Sequence, residues 1–353
     1  MDSWVVGVDC HARTLTAVRV DALGRVQGDR TVPNTVAGQQ QVQRWAAGAP
    51  GPRAWAVEGA GGHGRELTRR LQRAGEQVHE IPGWVTARER RHDGRRDKSD
   101  AQDALAAARA LQREPDRPVA RPEDGATMLR LLADERDALV QERTRLINQL
   151  RASVRAIGAE VSAAVGALGR PVGAQRVLAL PLTDPDPVQR LRRVLAQRLA
   201  QRLLQLHAEV AERTQELTAL VARVGTSLTD RPGCQALTAA RLLAETGDPA
   251  HFGREASYAR FCGVAPREAS SGTRVRHRLD RRGNRQLNVA LHRIAVTQVR
   301  MPGSAGQRYV ERRLREGKSR REAVRALKRH LARSIFRTIK GDLASGRTSF
   351  ALT

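Results

Sequence analysis

The sequence predicts an α/β domain with a mixed sheet at the N-terminus, a long helical region in the middle and a mostly helical C-terminal domain. Three observations support this organisation. Short apolar runs alternate with helical patterns in the first third, leucines recur at heptad spacing in the middle, and helical patterns separated by Gly and Pro fill the last third. A length of 353 residues suits two or three domains.

The first third of the chain contains five predicted strands and three predicted helices. The strands cover residues 4–8, 15–20, 25–32, 54–57 and 77–81, and the helices cover residues 36–47, 64–74 and 100–113. A turn at Ala22-Leu23-Gly24 makes the first three strands an antiparallel meander. Strands then alternate with helices, an order typical of a ribonuclease H-like mixed sheet. The basic stretch from Arg88 to Lys98 is predicted to be a loop, and Ser99 is a good N-cap for the next helix.

Leucines in the middle of the chain follow two helical seams. Leu132, Leu139 and Leu146 repeat every seven residues, and a second seam runs from Leu199 to Val224 in alternating four- and three-residue steps. This spacing is typical of coiled coils. It fits an antiparallel helical hairpin within one chain and an arm that dimerises two chains equally well, so the sequence leaves both interpretations open.

The last third is predicted to hold four helices, over residues 236–246, 255–262, 286–299 and 304–340. A polar loop with Ser270-Ser271-Gly272 and a basic turn over residues 280–285 separate the second helix from the third. The tail after Gly341 is predicted to be disordered. These patterns place the domain boundaries at residues 1–120, 121–228 and 229–345, with a tail over residues 346–353.

The charge of the chain is strongly positive and unevenly distributed. The chain carries 62 basic and 37 acidic residues, a formal net charge of +25. Residues 251–353 carry 25 basic and 7 acidic side chains, whereas residues 1–250 carry 37 and 30. A compositional bias toward arginine would spread the excess along the whole chain. Its concentration in the last third therefore predicts a polyanionic partner, a nucleic acid.

Several classes of protein are excluded by the sequence. Cys10, Cys234 and Cys262 lie far apart and form no CxxC pair, which argues against a zinc site and a disulfide framework. No apolar run approaches the roughly 20 residues that a membrane span needs, and the N-terminus lacks the pattern of a signal peptide. The sequence thus predicts a soluble, cytoplasmic protein with no membrane partner.

Four carboxylates in the first third form a predicted metal site. Asp9 ends the first predicted strand and Glu58 ends the fourth, and strand ends meet at one edge of an open sheet. Asp100 and Asp103 lie three residues apart at a helix start and share a face. Clustered carboxylates repel one another unless a cation neutralises them, and Mg²⁺ prefers oxygen ligands. Two such ions about 4 Å apart would stabilise the attacking and leaving oxygens of phosphoryl transfer.

Each of these acids also has a local explanation when it is taken alone. An aspartate at a strand end often forms a turn, and an acid in the first turn of a helix often interacts with the helix dipole. The combination of two strand ends with a helix pair favours the metal site. His11 and His63 lie beside the acids and are predicted to make structural or substrate contacts.

Two groups of motifs carry a resemblance to a known family. In the first third they are Gly7-Val8-Asp9-Cys10-His11, Val57-Glu58-Gly59-Ala60-Gly61 and Lys98-Ser99-Asp100-Ala101-Gln102-Asp103-Ala104. In the last third they are Phe261-Cys262-Gly263-Val264-Ala265-Pro266, Ser270-Ser271-Gly272 and Arg282-Gly283-Asn284-Arg285-Gln286-Leu287. With these motifs in this order, nearly the whole chain resembles the DEDD insertion-sequence transposases, the IS110 (insertion sequence one-ten) family.

The resemblance implies a RuvC-like N-terminal domain, a coiled-coil middle and a C-terminal transposase domain. It implies that Asp9, Glu58, Asp100 and Asp103 hold Mg²⁺ and that a serine of the C-terminal domain is the nucleophile. Ser271 is the predicted nucleophile and Ser270 the alternative. Members of the family also use a structured bridge RNA to choose donor and target DNA. DNA and a guide RNA are therefore the expected partners.

A serine hydroxyl is a poor nucleophile at neutral pH and needs a base, a metal or nearby positive charge. The predicted nucleophile lies near Arg274, Arg276 and Arg278, and arginine can clamp a phosphate. Other basic residues are predicted to contact phosphates: Arg281, Arg282, Arg285, Arg312, Arg313, Lys318, Arg320, Arg321 and Lys328. Because aromatic residues are only 3% of the chain, electrostatic contact is expected to dominate over base stacking.

Three functions compete at this point. The first is a serine-dependent transposase or recombinase, the second is a metal-only junction-resolving nuclease of the RuvC-like kind, and the third is a non-enzymatic nucleic-acid-binding protein. Under the first function, the long helical region separates the acids from the serine in sequence. The two are then expected to meet across subunits of a homo-oligomer, a dimer or a tetramer.

Overall fold

The computed structural model describes residues 4–48, 51–92, 99–117, 119–268, 277–279 and 283–351. The chain divides into two compact units, Met1–Glu123 (unit 1) and Asp124–Thr353 (unit 2). In the described ranges, none of the helices combines the length and the apolarity needed to cross a membrane.

Unit 1 is built on a five-stranded mixed sheet. Its strands are β1 (Trp4–Cys10), β2 (Thr14–Val20), β3 (Val26–Pro33), β4 (Arg53–Glu58) and β5 (Gln77–Ile81). The strand order is β3-β2-β1-β4-β5, with antiparallel pairing among the first three strands and parallel pairing of β4 with β1 and β5. This order and these directions are those of a RuvC-like, ribonuclease H-like sheet. The predicted α/β class and all five strands are confirmed.

Helices cover both faces of this sheet. They are α1 (Val36–Ala47), α2 (Arg65–Arg73), α3 (Gly83–His92) and α4 (Asp100–Arg113). α1 and α2 pack with the fully buried Trp55 on one face, and α3 and α4 pack on the other. Gly7 in β1 permits a close approach of α4, because a Cβ there would lie 1.9 Å from the carbonyl oxygen of Ala104. The first turn of α4 is thereby held near the end of β1.

The predicted loop from Arg88 to Lys98 was wrong in its first half, because α3 continues to His92. Residues 93–98 lie outside the described part of the chain. Val85, Thr86 and Glu89 of α3 are buried, and the Glu89 carboxylate lies 3.2 Å from the guanidinium of Arg113 in α4. An ion pair with α4 thus stabilises α3, although its closely spaced arginines are typical of a loop.

Unit 2 is mostly helical. Its helices are α5 (Gly125–Ile157), α6 (Ala159–Val165), α7 (Pro171–Leu178), α8 (Pro187–Val224), α9 (Ala236–Thr246), α10 (Glu255–Phe261), α11 (Arg285–Arg300), α12 (Ala305–Arg315) and α13 (Arg320–Ala344). Two short strands, β6 (Pro266–Glu268) and β7 (His277–Leu279), pair in antiparallel register. The predicted mostly helical character of this part of the chain is confirmed.

The long helices α5 and α8 form an antiparallel hairpin within the chain. Glu135 of α5 pairs with Arg213 of α8, and Glu142 of α5 pairs with Arg202 of α8. The later residue of α5 thus meets the earlier residue of α8, as antiparallel helices require. Most of the α8 seam that was read from the sequence is buried, and Arg213, which interrupts it, forms this ion pair. The structure therefore supports the intrachain hairpin, since the seam is already covered by α5.

The base of this hairpin shares one hydrophobic core with the last third of the chain. Leu129 of α5 and Leu217 of α8 belong to the same buried cluster as Leu242, Leu291 and Ile335. A boundary near residue 228, as the sequence predicted, would divide this core. The compact unit instead extends from Asp124 to the C-terminus.

Two sequence predictions near the C-terminus were wrong. The helix predicted over residues 304–340 is broken into α12 and α13 at Gly317, which has a φ of +80° and lies just before the N-cap Ser319. The tail is also ordered as far as it is described. Phe350 is buried, its carbonyl accepts a hydrogen bond from the Gly125 amide at 2.8 Å, and the Ser349 amide donates to Val224.

Candidate metal centre and nucleic-acid interface

The sheet of unit 1 brings two acidic residues to one edge. β1 and β4 are parallel neighbours, and their register pairs Asp9 directly with Glu58. Asp9 is buried and Glu58 is partly buried. A glycine at the start of α3 permits a close approach to this edge, because a Cβ on Gly83 would lie 2.9 Å from Glu58 Oε1. Two carboxylates therefore lie side by side at the ends of neighbouring strands.

The first turn of α4 contributes two more carboxylates. The Ser99 hydroxyl caps this helix by accepting a hydrogen bond from the Gln102 amide at 3.3 Å. Asp100 and Asp103 follow in the first turn, where Asp100 is exposed and Asp103 is buried. The cap thus fixes the first turn of α4, and with it the backbone positions of Asp100 and Asp103.

Asp9, His11 and Asp100 converge. His11 Nε2 lies 3.1 Å from Asp9 Oδ2 and 3.4 Å from Asp100 Oδ1. One potential ligand atom from each of the three residues falls within 4.8 Å of the others. The sequence predicted a structural or substrate contact for His11, but its imidazole lies within this cluster and could also bind a metal. For His63, the described contact is at the backbone, where its carbonyl accepts a hydrogen bond from Asn34.

The electrostatics of the cluster are unfavourable without a cation. Burial raises the pKa of the Asp9 carboxyl; His11 opposes this shift, and the charges of Glu58, Asp103 and Asp100 add to it. Asp9 Oδ2 and Glu58 Oε2 are buried and accept no hydrogen bond of good geometry from the described residues. Buried carboxylate oxygens without donors are costly. This donor set, carboxylates with one imidazole, fits a divalent cation that prefers oxygen ligands.

A cysteine next to the cluster is not part of this donor set. Burial, together with the charges of Asp9 and Glu58, raises the pKa of the Cys10 thiol to about 12. A metal ligand or nucleophile would need the thiolate form. Cys10 therefore acts as a small apolar side chain in the core of unit 1.

Arg90 is a site residue that was missed in the sequence. Its guanidinium pairs with the carboxylate of Asp103, and both side chains are largely shielded from solvent. The residue lies in α3, within the stretch predicted as a loop, so its position beside the acids could not be read from the pattern. Within the described residues, Asp103 is consequently the one carboxylate of the four with an arginine partner, whereas Asp9 and Asp100 lie beside His11.

Several residues predicted to act on DNA lie outside the described part of the chain. They are Ser270, Ser271, Arg274, Arg276, Arg281 and Arg282. Arg278 lies in β7, for which only the backbone is described. The four predicted metal ligands lie within the described residues, and both predicted serines lie outside them.

The remaining predicted phosphate contacts lie on α11, α12 and α13, except Lys318, which lies between α12 and α13. Exposed or partly exposed members of this set are Arg285, Arg312, Arg313, Lys318, Arg320 and Arg321. Arg312 stacks over the Tyr309 ring at 5.3 Å. Lys328 differs from them, since it is only 8% exposed and its ammonium donates to Asn288 Oδ1. It is a buried cation of unit 2 and not part of a solvated helix face.

Two family models match separate parts of the chain. Residues 6–158 match the DEDD transposase family of the IS110 type, and residues 225–311 match the transposase family IS116/IS110/IS902. Both regions contain the motifs that carried the resemblance in the sequence.

Similar proteins come from insertion elements of actinobacteria. An IS116 protein of Streptomyces clavuligerus, described as uncharacterized, is 27% identical over 88% of this chain and 85% of its own length. An IS900 protein of Mycobacterium paratuberculosis is 28% identical over 78% and 79%. An IS110 protein of Streptomyces coelicolor is 33% identical over 32% of this chain and 28% of its own.

Among solved structures, RuvC of Thermus thermophilus matches with 14% identity and a TM-score of 0.25, over 33% of this chain and 99% of that one. The family matches cover both units, in the order that the motifs predicted. The chain therefore belongs to the IS110 family of DEDD transposases and is a DNA transposase of an insertion sequence.

Proposed function

We propose that this transposase cuts and rejoins DNA at the acidic cluster of unit 1, with Mg²⁺ held by Asp9, Glu58, Asp100 and Asp103. One observation carries the proposal. Asp9, His11 and Asp100 converge within 4.8 Å, and one buried oxygen each of Asp9 and Glu58 accepts no hydrogen bond of good geometry from the described residues. Such a cluster is stable in its charged form only beside a cation.

The protein's own contribution is to fix these ligands. Asp9 and Glu58 are held by paired strands and Asp100 by a capped helix turn, so little reorganisation is needed when the ligands bind an ion. A bound divalent ion would act as a Lewis acid that stabilises charge on phosphate oxygens. The His11 imidazole would also accept Mn²⁺, which takes nitrogen ligands more readily than Mg²⁺ does.

We further propose Ser271 as the nucleophile, with Ser270 as the alternative. The Ser271 oxygen would form a bond to phosphorus while one bond between phosphorus and a deoxyribose oxygen breaks, and the departing oxygen takes up a proton. The phosphoserine keeps the energy of the broken bond, so a free DNA hydroxyl can reverse the step. Arg274, Arg276 and Arg278 are close in sequence and would stabilise the phosphate charge.

Two partners are part of the same proposal. A guide RNA, the bridge RNA that the family resemblance implies, would select donor and target DNA, and the basic surplus of unit 2 suits either nucleic acid. A homo-oligomer would allow the acids of one chain to act with the serine of another. Both statements rest on the family resemblance and on charge.

The decisive experiment incubates the purified chain with Mg²⁺, DNA carrying the ends of the element and the RNA transcribed beside its gene. The expected product is a DNA end linked to Ser271, detected as a covalent adduct on a denaturing gel and located by mass spectrometry. Asp9→Asn should abolish the adduct, whereas Asp29→Asn, an exposed acid on β3, should leave it unchanged. Adducts that persist in Asp9→Asn would overturn the metal site.

A metal-only nuclease of the junction-resolving class is the second candidate. The observation that favours it is that the whole acidic cluster lies within unit 1, so cleavage would not require the serine. Ser271→Ala separates the two candidates. If cleavage continues without any covalent adduct in this variant and in Ser270→Ala, the serine has no chemical role.

A further inference from the structure

Unit 2 contains a pocket that the proposed chemistry does not use. It has a volume of about 300 Å³ and lies between the segment from Gly263 to Pro266, which follows α10, and the helices α12 and α13. This volume is at the lower end of the range for small-molecule sites. It is too small for a duplex and suits a single nucleotide.

The pocket combines an apolar wall with a concentration of positive charge. Val264, Ala265 and Pro266 form one side, together with Ala326 of α13. Five cationic side chains also line it: Arg313, Lys318, Arg325, Lys328 and Arg329. The composition matches a ligand that has an apolar ring system and a negative group.

The one acidic residue that lines the pocket, Glu322, offsets only part of this charge, through Lys318 and Arg325. The Glu322 carboxylate accepts hydrogen bonds from the amide and the hydroxyl of Ser319, at 2.9 and 2.8 Å, and so caps α13. Of the five cations, Arg313 is the one for which the described residues include a salt-bridge partner, Glu316. The lining therefore carries a surplus of positive charge that is directed at one small volume.

Lys328 gives a second, independent indication of an anionic ligand. It is 8% exposed, and the partner of its ammonium group is the neutral Asn288 amide oxygen. The Asn288 amide group in turn donates to the carbonyls of Cys262 and Gly263, at 3.1 and 2.9 Å. Lysine is rarely buried without an anionic partner, and burial together with Arg325 lowers the pKa of this lysine. A bound phosphate would supply the missing negative charge.

We propose that this pocket binds one nucleotide of a nucleic-acid strand, with its phosphate on the Lys328 side and its base or sugar against Val264 to Pro266. The inference deepens the proposed function, because it rests on this chain handling a strand of DNA or RNA. Asn288 acts as a positioning residue, since it connects Lys328 to the backbone of the pocket wall. Five residues after Pro266 the chain reaches Ser271, so the pocket wall is joined directly to the segment with the proposed nucleophile.

General surface attraction is the alternative explanation for any binding here. Arg320 and Arg321 lie on the same helix, are exposed and do not line the pocket. They would attract any polyanion, with a steep dependence on salt. A pocket differs from such a surface in one measurable way, because it distinguishes a nucleotide from inorganic phosphate.

The test is isothermal titration calorimetry of the full chain with deoxyadenosine monophosphate, and separately with inorganic phosphate, in the absence of divalent ions. The nucleotide is expected to bind at least about tenfold more tightly than phosphate, because only the nucleotide buries apolar surface against the wall. Adenosine monophosphate in a parallel titration identifies the strand: tighter binding of the deoxynucleotide assigns the pocket to DNA, and tighter binding of the ribonucleotide assigns it to RNA.

Variants localise the binding. Lys328→Met keeps the length of the buried stem and removes the charge, and the double variant Arg325→Ala with Arg329→Ala removes two charges at the rim. Each is expected to weaken nucleotide binding by about tenfold or more, the usual worth of a lost charge-assisted hydrogen bond. The matched control, Arg315→Ala with Lys340→Ala, removes two exposed charges of α12 and α13 that do not line the pocket and should change the affinity by less than about twofold.

The rim variant does not disturb the core, so the test stands even if Lys328→Met unfolds. Equal affinities for nucleotide and phosphate, or a control that loses as much affinity as the rim variant, would overturn the proposal. Its failure is distinguishable from failure of the proposed function. Asp9→Asn should bind the nucleotide like the wild type, because nucleotide binding needs neither a metal nor cleavage.

Discussion

The acidic edge of unit 1 and the basic pocket of unit 2 bury charge in opposite senses. At the acidic edge, Asp9 and Glu58 each have a buried oxygen that accepts no hydrogen bond of good geometry from the described residues. In the basic pocket, Lys328 is buried against a neutral amide. The net charges of the two units differ as well: unit 1 carries 20 basic and 16 acidic residues, and unit 2 carries 42 and 21.

This difference shows that the net charge of a unit and the charge of a local cluster have different roles. The surplus of unit 2 draws a polyanion from a distance and is screened by salt. The acidic cluster exists in a unit that is itself slightly basic, so it is a property of four positions and not of composition. Each proposed site would take a ligand of opposite sign, so the two proposals can be tested separately.

The largest expected effect separates activity from stability at the acidic edge. Asp9→Asn should reduce DNA cleavage on the order of a thousandfold, as loss of a group that acts on the reacting phosphate does. In the absence of divalent ions the same variant should raise the melting temperature, because the repulsion from Glu58, Asp100 and Asp103 is relieved. Cleavage rates and calorimetric melting measure the two effects. A lower melting temperature would contradict the account of this cluster.

The next largest effect is expected from a substitution that disturbs the packing of α4 on β1 and leaves every proposed metal ligand in place. Gly7→Ala places a Cβ against the backbone of α4, at 1.9 Å from the Ala104 oxygen. Overpacking against backbone costs about 3 kcal/mol of unfolding free energy or more, measured by urea denaturation. Gly61→Ala serves as the control, since Gly61 has no positive φ and the nearest atom to its added Cβ, Glu80 Oε1, lies at an ordinary contact distance of 3.6 Å. Equal losses in both variants would mean that the contact with α4 is not the cause.

A smaller effect concerns Arg90, the cation that is already present at the acidic edge. Its guanidinium competes with a metal for Asp103. Arg90→Ala should therefore strengthen Mn²⁺ binding by up to about fivefold, which corresponds to about 1 kcal/mol for a partly shielded ion pair. Calorimetric titration with Mn²⁺ measures this change, and Arg91→Ala, exposed one position later, is the control. Weaker Mn²⁺ binding in Arg90→Ala would instead make the arginine a support of the site.

The smallest effect concerns α10, which ends directly before the wall of the basic pocket. Glu255 pairs with Arg333 and Arg337 of α13, and these hydrogen bonds lower the pKa of its carboxyl from 4.5 to about 2. A lowered carboxyl pKa contributes stability above the unfolded value and loses it as the pH falls through about 2. Glu255→Gln should thus lower the melting temperature slightly at pH 7. The difference from the wild type should shrink on acidification, and a difference that grows would contradict the ion pairs.

Much of unit 1 could be predicted from the sequence because its signals are local. Strands of alternating or continuous apolar residues, a turn at Gly24 and the Ser99 cap fixed each element within a few residues. The carboxylates at Asp9 and Glu58 followed from strand ends, since parallel neighbours end at one edge. Their convergence with Asp100 could be expected, but the inclusion of His11 could not, because it depends on how the chain turns after β1.

The errors share a physical cause, which is that tertiary contacts overrode a local pattern. α3 forms despite its run of arginines because Glu89 is buried and pairs with Arg113. The end of the chain is ordered because Phe350 fills a core position beside Gly125. Lys328 looks like any exposed lysine in sequence, and its burial depends on Asn288, forty residues earlier. None of these pairings is visible in the spacing of one segment.

The ordered end of the chain gives unit 2 an unusual connectivity. The Gly125 amide and the Phe350 carbonyl are hydrogen-bonded at 2.8 Å, so the first turn of α5 and the last described residues are neighbours. A short linker could join them, and new termini could open between Leu182 and Thr183, which are both exposed. Because its first and last described residues are neighbours, unit 2 is expected to tolerate circular permutation.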